Sequence, residues 1–215
     1  MAAPSESPKS YFPLAGGAED GWSNEHEATA TCFCGSVQLV FPIKGPGLLA
    51  TFVCNCSDCR KLTASMFASN FSVADDYLRH VRGREKLTAF GQSKTVESGG
   101  VMTNYFCSTC GTLMYRVGSK YPGMRILRIG TVDDFSLHET ALRPQVEQYI
   151  KDRVDWFSGV DTARLVRTPW APENLGAVQT SLIGMYAFDV VGGTAFARTM
   201  SISKHSGKTE SCDGQ

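Results

Sequence analysis

Seven cysteines in three short clusters constrain this chain more than any other feature. They are Cys32-Phe33-Cys34-Gly35, Cys54-Asn55-Cys56-Ser57-Asp58-Cys59 and Cys107-Ser108-Thr109-Cys110-Gly111, with an eighth, Cys212, alone near the C-terminus. Zinc takes four tetrahedral donors at about 2.0–2.3 Å, and closely spaced cysteines on a tight turn supply two of them from one segment. Gly111 frees the backbone after Cys107 and Cys110 to turn back under a metal. Cys32 and Cys34, also followed by a glycine, are their natural partners. These four predict a closed four-thiolate zinc site that staples the first strand to a later hairpin. Cys54, Cys56 and Cys59 are left as a separate set of three, and three protein ligands with one open position is how catalytic zinc is held, whereas structural zinc is closed. Two alternatives stay open for the trio: Cys212 as a fourth ligand, or a second structural zinc completed by water or histidine. His26, His80, His138 and His205 are the only histidines, and none has ligand-like spacing.

Charge decides what an open three-thiolate site does. Three thiolates on Zn²⁺ leave a net charge of −1, a weak Lewis acid beside a three-histidine zinc. A sulfur-rich centre suits one more sulfur donor. An incoming thiol would bind as the thiolate, which is the competent nucleophile. The expected chemistry is thiol activation or thiol-adduct chemistry rather than hydrolysis.

The rest of the chain reads as mainly β with little helix. Val37, Leu39, Phe41 and Ile43 alternate with Ser36, Gln38, Val40 and Pro42, the period of two of a half-buried strand. Further short β-prone runs cover Leu48 to Val53, Met66 to Val73, Val101 to Phe106, Thr112 to Val117, Met124 to Val132 and Val146 to Ile150. Gly45-Pro46-Gly47, Gly99-Gly100, Gly118 and Pro122-Gly123 punctuate them. One short helix is predicted over Ala74 to Val81, where Asp75 and Asp76 favour a helix start and Tyr77, Leu78 and Val81 share a face. A half-turn is expected after Cys59.

At 215 residues and 42% hydrophobic composition, one ordinary domain with ragged ends is expected. Its boundaries are placed at 1–28 for an acidic, partly disordered leader, 29–172 for the zinc domain, and 173–215 for a C-terminal extension with a polar tail. Five acids (Glu6, Glu19, Asp20, Glu25 and Glu27) stand against Lys9 in the leader, and Phe12, Leu14 and Trp22 are candidates for clipping it onto the body. Residues 174–200 read equally as a strand pair or a helix. Lysine plus arginine equal aspartate plus glutamate at 21 each, so no basic footprint draws the chain to nucleic acid or an anionic membrane. The stretch Leu175 to Ala197 contains Gln179, Asp189 and Gly192-Gly193 and is rejected as a membrane span. Without a visible secretory signal, the cysteines are expected as reduced thiols in a cytoplasmic or nuclear compartment.

The order Cys-x-Cys-Gly, Cys-x-Cys-x-x-Cys-Arg-Lys (ending in Arg60-Lys61) and Phe-Cys-x-x-Cys-Gly (from Phe106) resembles the glutathione-dependent formaldehyde-activating enzyme (GFA) family, which includes the centromere protein V group. The resemblance spans roughly residues 28 to 160, including Arg128-Ile129-Gly130-Thr131-Val132-Asp133-Asp134 and Asp155-Trp156-Phe157. It implies a β-tent fold of antiparallel sheets with two zinc ions. Position by position, Cys32, Cys34, Cys107 and Cys110 match the structural ligands, and Cys54, Cys56 and Cys59 the catalytic ones. The implied activity joins glutathione to formaldehyde, formally a carbon–sulfur lyase in reverse, so the partner is a small-molecule thiol or its adduct. The leader and the segment after about Pro172 lie outside the family pattern and are candidates for capping the site or driving homo-oligomer formation.

Other residues carry lesser expectations. Arg60 and Lys61 are either carboxylate anchors or surface charges. Asn55 and Ser57 are expected to brace the sulfurs by hydrogen bonds. Asp58 is read as a helix cap in preference to an acid or base. Phe67, Tyr105 and Trp156 are core in preference to pocket wall. Two other functions compete with the enzyme: a non-catalytic zinc-stabilised binding module, against whose microtubule or centromere form the acidic leader argues, and redox sensing by the exposed thiolates of the trio.

Overall fold

The computed structural model describes residues 9–13, 15–161 and 163–168. The ambiguous stretch 174–200, Cys212, His205, Leu14 and the polar tail lie outside the described residues. Strands dominate: β1 (Glu27–Thr31), β2 (Gln38–Pro42), β3 (Leu48–Cys54), β4 (Ala68–Ala74), β5 (Arg79–Arg82), β6 (Leu87–Gln92), β7 (Met102–Cys107), β8 (Leu113–Gly118), β9 (Met124–Arg128), β10 (Val146–Gln148) and β11 (Arg164–Val166). The helices among the described residues are α1 (Ser57–Thr63) and α2 (Ser136–Glu139). The chain is mainly β with little helix, in keeping with a β-tent.

Two sheets form. The smaller has the order β1-β2-β5 and the larger β11-β10-β3-β4-β9-β8-β7-β6. Pairing is antiparallel except where β10 runs parallel to both β3 and β11. Period-two alternation divides the larger sheet into two chemically different faces. Phe71 and Val73 of β4, Leu127 of β9 and Tyr115 of β8 point to one side. There they meet Ala28, Ala30, Leu39 and Phe41 from the smaller sheet in the main core. Phe41 and Phe71 join the sheets ring to ring at 4.6 Å, and burying each such side chain contributes about 1.5–3 kcal/mol. The alternate residues, Phe52, Cys54, Ala68 and Ile126, belong to a second cluster on the opposite side.

The predicted strand runs all become strands, with ends moved by a few residues. β2 departs from the half-buried expectation, because all five of its residues are buried. It is the central strand of its sheet, and Gln38 is satisfied by Thr31 Oγ1 at 3.1 Å and by Arg82 Nη1 at 3.2 Å.

The helix predicted over Ala74 to Val81 does not form. Asp75–Tyr77 make a single 3-10 turn and the chain enters β5, which pairs with β2 through Leu39↔His80 and Val40↔Arg79. The two acids start a turn as expected, but edge pairing satisfies more backbone groups than one further helical turn would. The half-turn expected after Cys59 is instead α1, which begins before that cysteine. It ends at Ala64 in the left-handed region, whose N–H bonds back to the Arg60 and Lys61 carbonyls.

The leader packs against the body through its backbone. Tyr11 N–H donates to Asp134 Oδ1 at 2.9 Å, Phe135 N–H to Tyr11 O at 2.8 Å, and Gly17 N–H to Phe33 O at 2.6 Å. Tyr11 is 61%, Phe12 41% and Trp22 36% exposed, so Phe12 and Trp22 are partly covered and the main-chain hydrogen bonds act beside them.

Candidate metal centres and the adjoining cavity

The sulfurs of Cys32, Cys34, Cys107 and Cys110 lie within 4.8 Å of one another. Cys32 and Cys34 occupy the β1–β2 turn, and Cys107 and Cys110 the β7–β8 turn. This cluster therefore joins the end of one sheet to the end of the other. Both turns have the same construction. Gly35 N–H donates to Cys32 O at 2.9 Å and Gly111 N–H to Cys107 O at 2.8 Å. Both glycines sit at φ 75°, where a side chain would be strained. The Cys32–Cys34 and Cys34–Cys107 sulfur separations are 3.6 and 3.7 Å. A tetrahedral ion with sulfur at about 2.3 Å requires about 3.8 Å, so the donor set fits zinc. Burial pushes the Cys32 thiol up to about 12. Cys110 is also opposed by burial, yet hydrogen bonds from Thr112 bring it down to about 6. Four sulfurs this close ionise together only with a cation among them.

The sulfurs of Cys54, Cys56 and Cys59 also lie within 4.8 Å of one another, with no fourth cysteine, histidine or carboxylate joining them among the described residues. Cys54 ends β3, and Cys56 caps α1 by accepting from Cys59 N–H at 3.4 Å. The strand-to-helix junction thus brings three sulfurs together within six residues. Cys54 is raised far above the usual thiol range by its Cys56 and Cys59 neighbours and by burial. Cys59 is held well below that range by hydrogen bonds from Cys54 and Cys56, against burial, with help from the positive charges of Arg128 and Arg116. Three crowded thiols, two buried and one half-buried, with one favoured as thiolate also suit a cationic metal. None of the seven described cysteines is in a disulfide.

The trio opens onto a cavity of about 270 Å³ on the second face of the large sheet. Its floor is unusually polar for a sheet face. Asn70, Ser72 and Arg116 line it and are buried, and Asn104 and Arg128 lie buried beside them on the neighbouring strands. Register explains why they meet: Asn70 is opposite Arg128, Ser72 opposite Ile126, and Ile126 and Asn104 flank Arg116. Arg116 Nη1 donates to Cys59 Sγ at 3.4 Å. Tyr149 stands on the wall in a left-handed backbone conformation at φ 56°, a strain of the order of 1–3 kcal/mol. Burial raises its phenol, so it stays neutral.

Several expected site residues sit elsewhere. Arg60 and Lys61 do not line the cavity; Arg60 reaches Asp152 O at 3.3 Å, and the cavity cations are Arg116 and Lys151. Asp58 is not the cap, a place taken by Cys56. Its carboxylate accepts from Gln92 at 3.1 Å and Thr95 at 2.7 Å. Asn55 braces the loop rather than a sulfur, donating to Glu147 Oε1 at 2.9 Å and Gln148 O at 3.1 Å. Ser57 lines the cavity. Phe67 stacks on Phe157 and Tyr105 on Tyr115, while Trp156 is 73% exposed, and none of the three walls the cavity. His80 contacts Tyr115 and His138 stacks on Phe135, both away from the sulfurs.

The family profile described as "Glutathione-dependent formaldehyde-activating enzyme" matches residues 27–152, more than half of the chain and spanning both cysteine sets. The chain belongs to the GFA family. A solved structure of a protein from Rhodobacter sphaeroides is similar at 23% identity over 48% of this chain and 85% of that one, with a TM-score of 0.36. No curated protein matches the sequence. The matched GFA region begins with β1 and ends after β10, so the segment 9–26 and β11 lie outside it.

Proposed function

We propose that this GFA protein is a zinc-dependent enzyme of the carbon–sulfur lyase type. It would bind two zinc ions, a structural one at Cys32, Cys34, Cys107 and Cys110 and a catalytic one at Cys54, Cys56 and Cys59. Its reaction is the addition of a thiol such as glutathione to an aldehyde, or the release of the same adduct. One observation carries this reading: three cysteine sulfurs, with no fourth protein donor among the described residues, face a cavity large enough for a small molecule. Zinc held by three thiolates supplies a coordination position where a thiol binds in its ionised form. The protein's own residues do the rest. Asn55 and Glu147 fix the loop that carries the sulfurs, Arg116 steadies the Cys59 thiolate, and Tyr149 and the 95–98 loop wall the cavity. The balanced charge of the chain and its reduced cysteines fit a cytoplasmic or nuclear enzyme with a small-molecule partner.

The test compares wild type with Cys56→Ser by zinc content, calorimetry with glutathione, and turnover with glutathione plus formaldehyde. Zinc should fall from two to about one per chain, with glutathione binding lost and the melting temperature nearly kept. Collapse of the variant's fold would make both clusters structural and favour the binding-module alternative.

A further inference from the structure

Arg116, which lines the cavity, and Arg128, buried opposite Asn70, both lack the full set of partners that buried guanidinium groups normally have. Arg116 is 8% and Arg128 5% exposed. Neither belongs to an ion pair among the described residues. Arg116 Nε, Arg128 Nε and Arg128 Nη2 have no hydrogen-bond partner, although Arg128 Nη1 donates to Asn70. Burying unsatisfied cationic donors is strongly unfavourable unless an anion meets them. The cysteine trio is only part of that anion. Three thiolates with one divalent ion carry a net −1, whereas two guanidiniums carry +2. The nearby carboxylates are directed elsewhere: Asp58 to Gln92 and Thr95, Asp152 to Lys151, and Glu97, exposed at the rim, toward Tyr149.

We propose that the unpartnered guanidinium edge of Arg116, backed by Arg128, receives the anionic oxygen that forms on the aldehyde when a thiolate adds to it. This rests on the thiol-adduct reading above and deepens it. In that step a sulfur lone pair forms the C–S bond and the carbonyl π pair moves onto oxygen. The resulting alkoxide then takes up the proton that the thiol released. Arg116 suits this oxygen because it lines the cavity beside the trio: Nη1 meets Cys59 Sγ at 3.4 Å, and Nε, on the other edge of the planar guanidinium, has no partner. A preorganised donor in a buried site stabilises such a charge more than water would. The assignment makes Arg116 a catalytic residue.

Mercaptoacetate mimics the adduct, because it carries an anionic oxygen close to its sulfur, and 2-mercaptoethanol carries a neutral one. The carboxylate makes mercaptoacetate the weaker thiol acid, so a preference for it does not arise from thiolate fraction. Calorimetry on zinc-loaded wild type should show mercaptoacetate binding about tenfold tighter. Arg116→Gln should abolish that preference while retaining 2-mercaptoethanol binding and two zinc ions. Arg116→Lys covers the case in which the glutamine form releases zinc: it keeps the charge but not the fork, and should lose most of the preference. Equal affinities in wild type, or a preference that survives in both variants, overturns the assignment while leaving the thiol reading intact. Binding of neither thiol overturns the thiol reading itself.

Discussion

The two cysteine clusters use the same donor atom and similar spacing, yet they are set in opposite surroundings. The four-cysteine cluster is built from two glycine-terminated turns and ties the β1–β2 hairpin to the β7–β8 hairpin. All its sulfurs come from the protein, and its neighbours are main-core residues such as Val37 and Met114. The three-cysteine cluster comes from one strand-to-helix junction and faces a cavity floored by buried arginine and asparagine. The number of protein donors follows from this topology. Two turns brought together supply four sulfurs and join distant segments, whereas one junction supplies three and joins nothing distant. Loss of the first should therefore break the fold, and loss of the second should break only the chemistry.

The largest expected effect comes from Cys107→Ser. It removes a donor from the cluster that joins the sheets and leaves three crowded thiols beside the core. A structural zinc site contributes folding free energy directly, so this variant should melt far below wild type, aggregate on expression and lose most bound zinc. Cys56→Ser, by contrast, should melt within a few degrees of wild type. Thermal denaturation with zinc analysis on the pair checks this, and equal melting temperatures would erase the distinction between the clusters.

A smaller effect is expected at Asn55, between two trio cysteines. Its side chain donates to Glu147 Oε1, and Glu147 is fully buried with Arg153 as its ion-pair partner at 3.2 Å. Asn55→Ala leaves a buried carboxylate oxygen short of a donor, which costs about 1–3 kcal/mol. It also loosens the loop that aims Cys54 and Cys56, so zinc affinity at the trio alone should fall about 10–100-fold. Competition with a chelator reads the two zinc affinities separately. Equal weakening of both would show that Asn55 serves the whole fold instead.

Why the cysteine clusters were easier to read than the cavity beside them has a physical basis. Metal-binding turns are local: two cysteines and a glycine within five residues already dictate the backbone. The sheet runs were legible for the same reason, since alternation such as Ser69-Asn70-Phe71-Ser72-Val73 marks a strand whatever its neighbours. The cavity floor was not. Arg116 and Arg128 alternate with Tyr115, Val117, Leu127 and Ile129 as though facing solvent, and only the placement of α1, β10 and the 95–98 loop makes that face an interior. Polar residues at alternate positions in several strands, two of them arginine, were the available signal. The false helix over Ala74 to Val81 failed in the same way: local acids favoured a helical start, and pairing with β2 from far away in sequence decided the outcome.

The smallest effect should come from Asp134, which holds the N-terminal segment beside the smaller sheet and lies outside the cavity. Its Oδ1 accepts from Tyr11 N–H, Ser136 N–H and Ser136 Oγ at 2.9, 3.0 and 2.7 Å, and its Oδ2 accepts from Ser23. Burial opposes ionisation, but these donors outweigh it and keep the carboxyl below its ordinary value of 3.8. A depressed folded-state pKa stabilises above the unfolded pKa and loses that contribution as pH falls through the folded value. Asp134→Asn should therefore cost about 1–3 kcal/mol at pH 7. The gap to wild type should narrow once the pH drops below about 3.9. Denaturant titrations of both proteins at neutral and acid pH measure that gap, and turnover should not change. A fall in turnover at constant stability would mean that the N-terminal segment reaches the chemistry, and the division between a stabilising end and a reacting end would have to be redrawn.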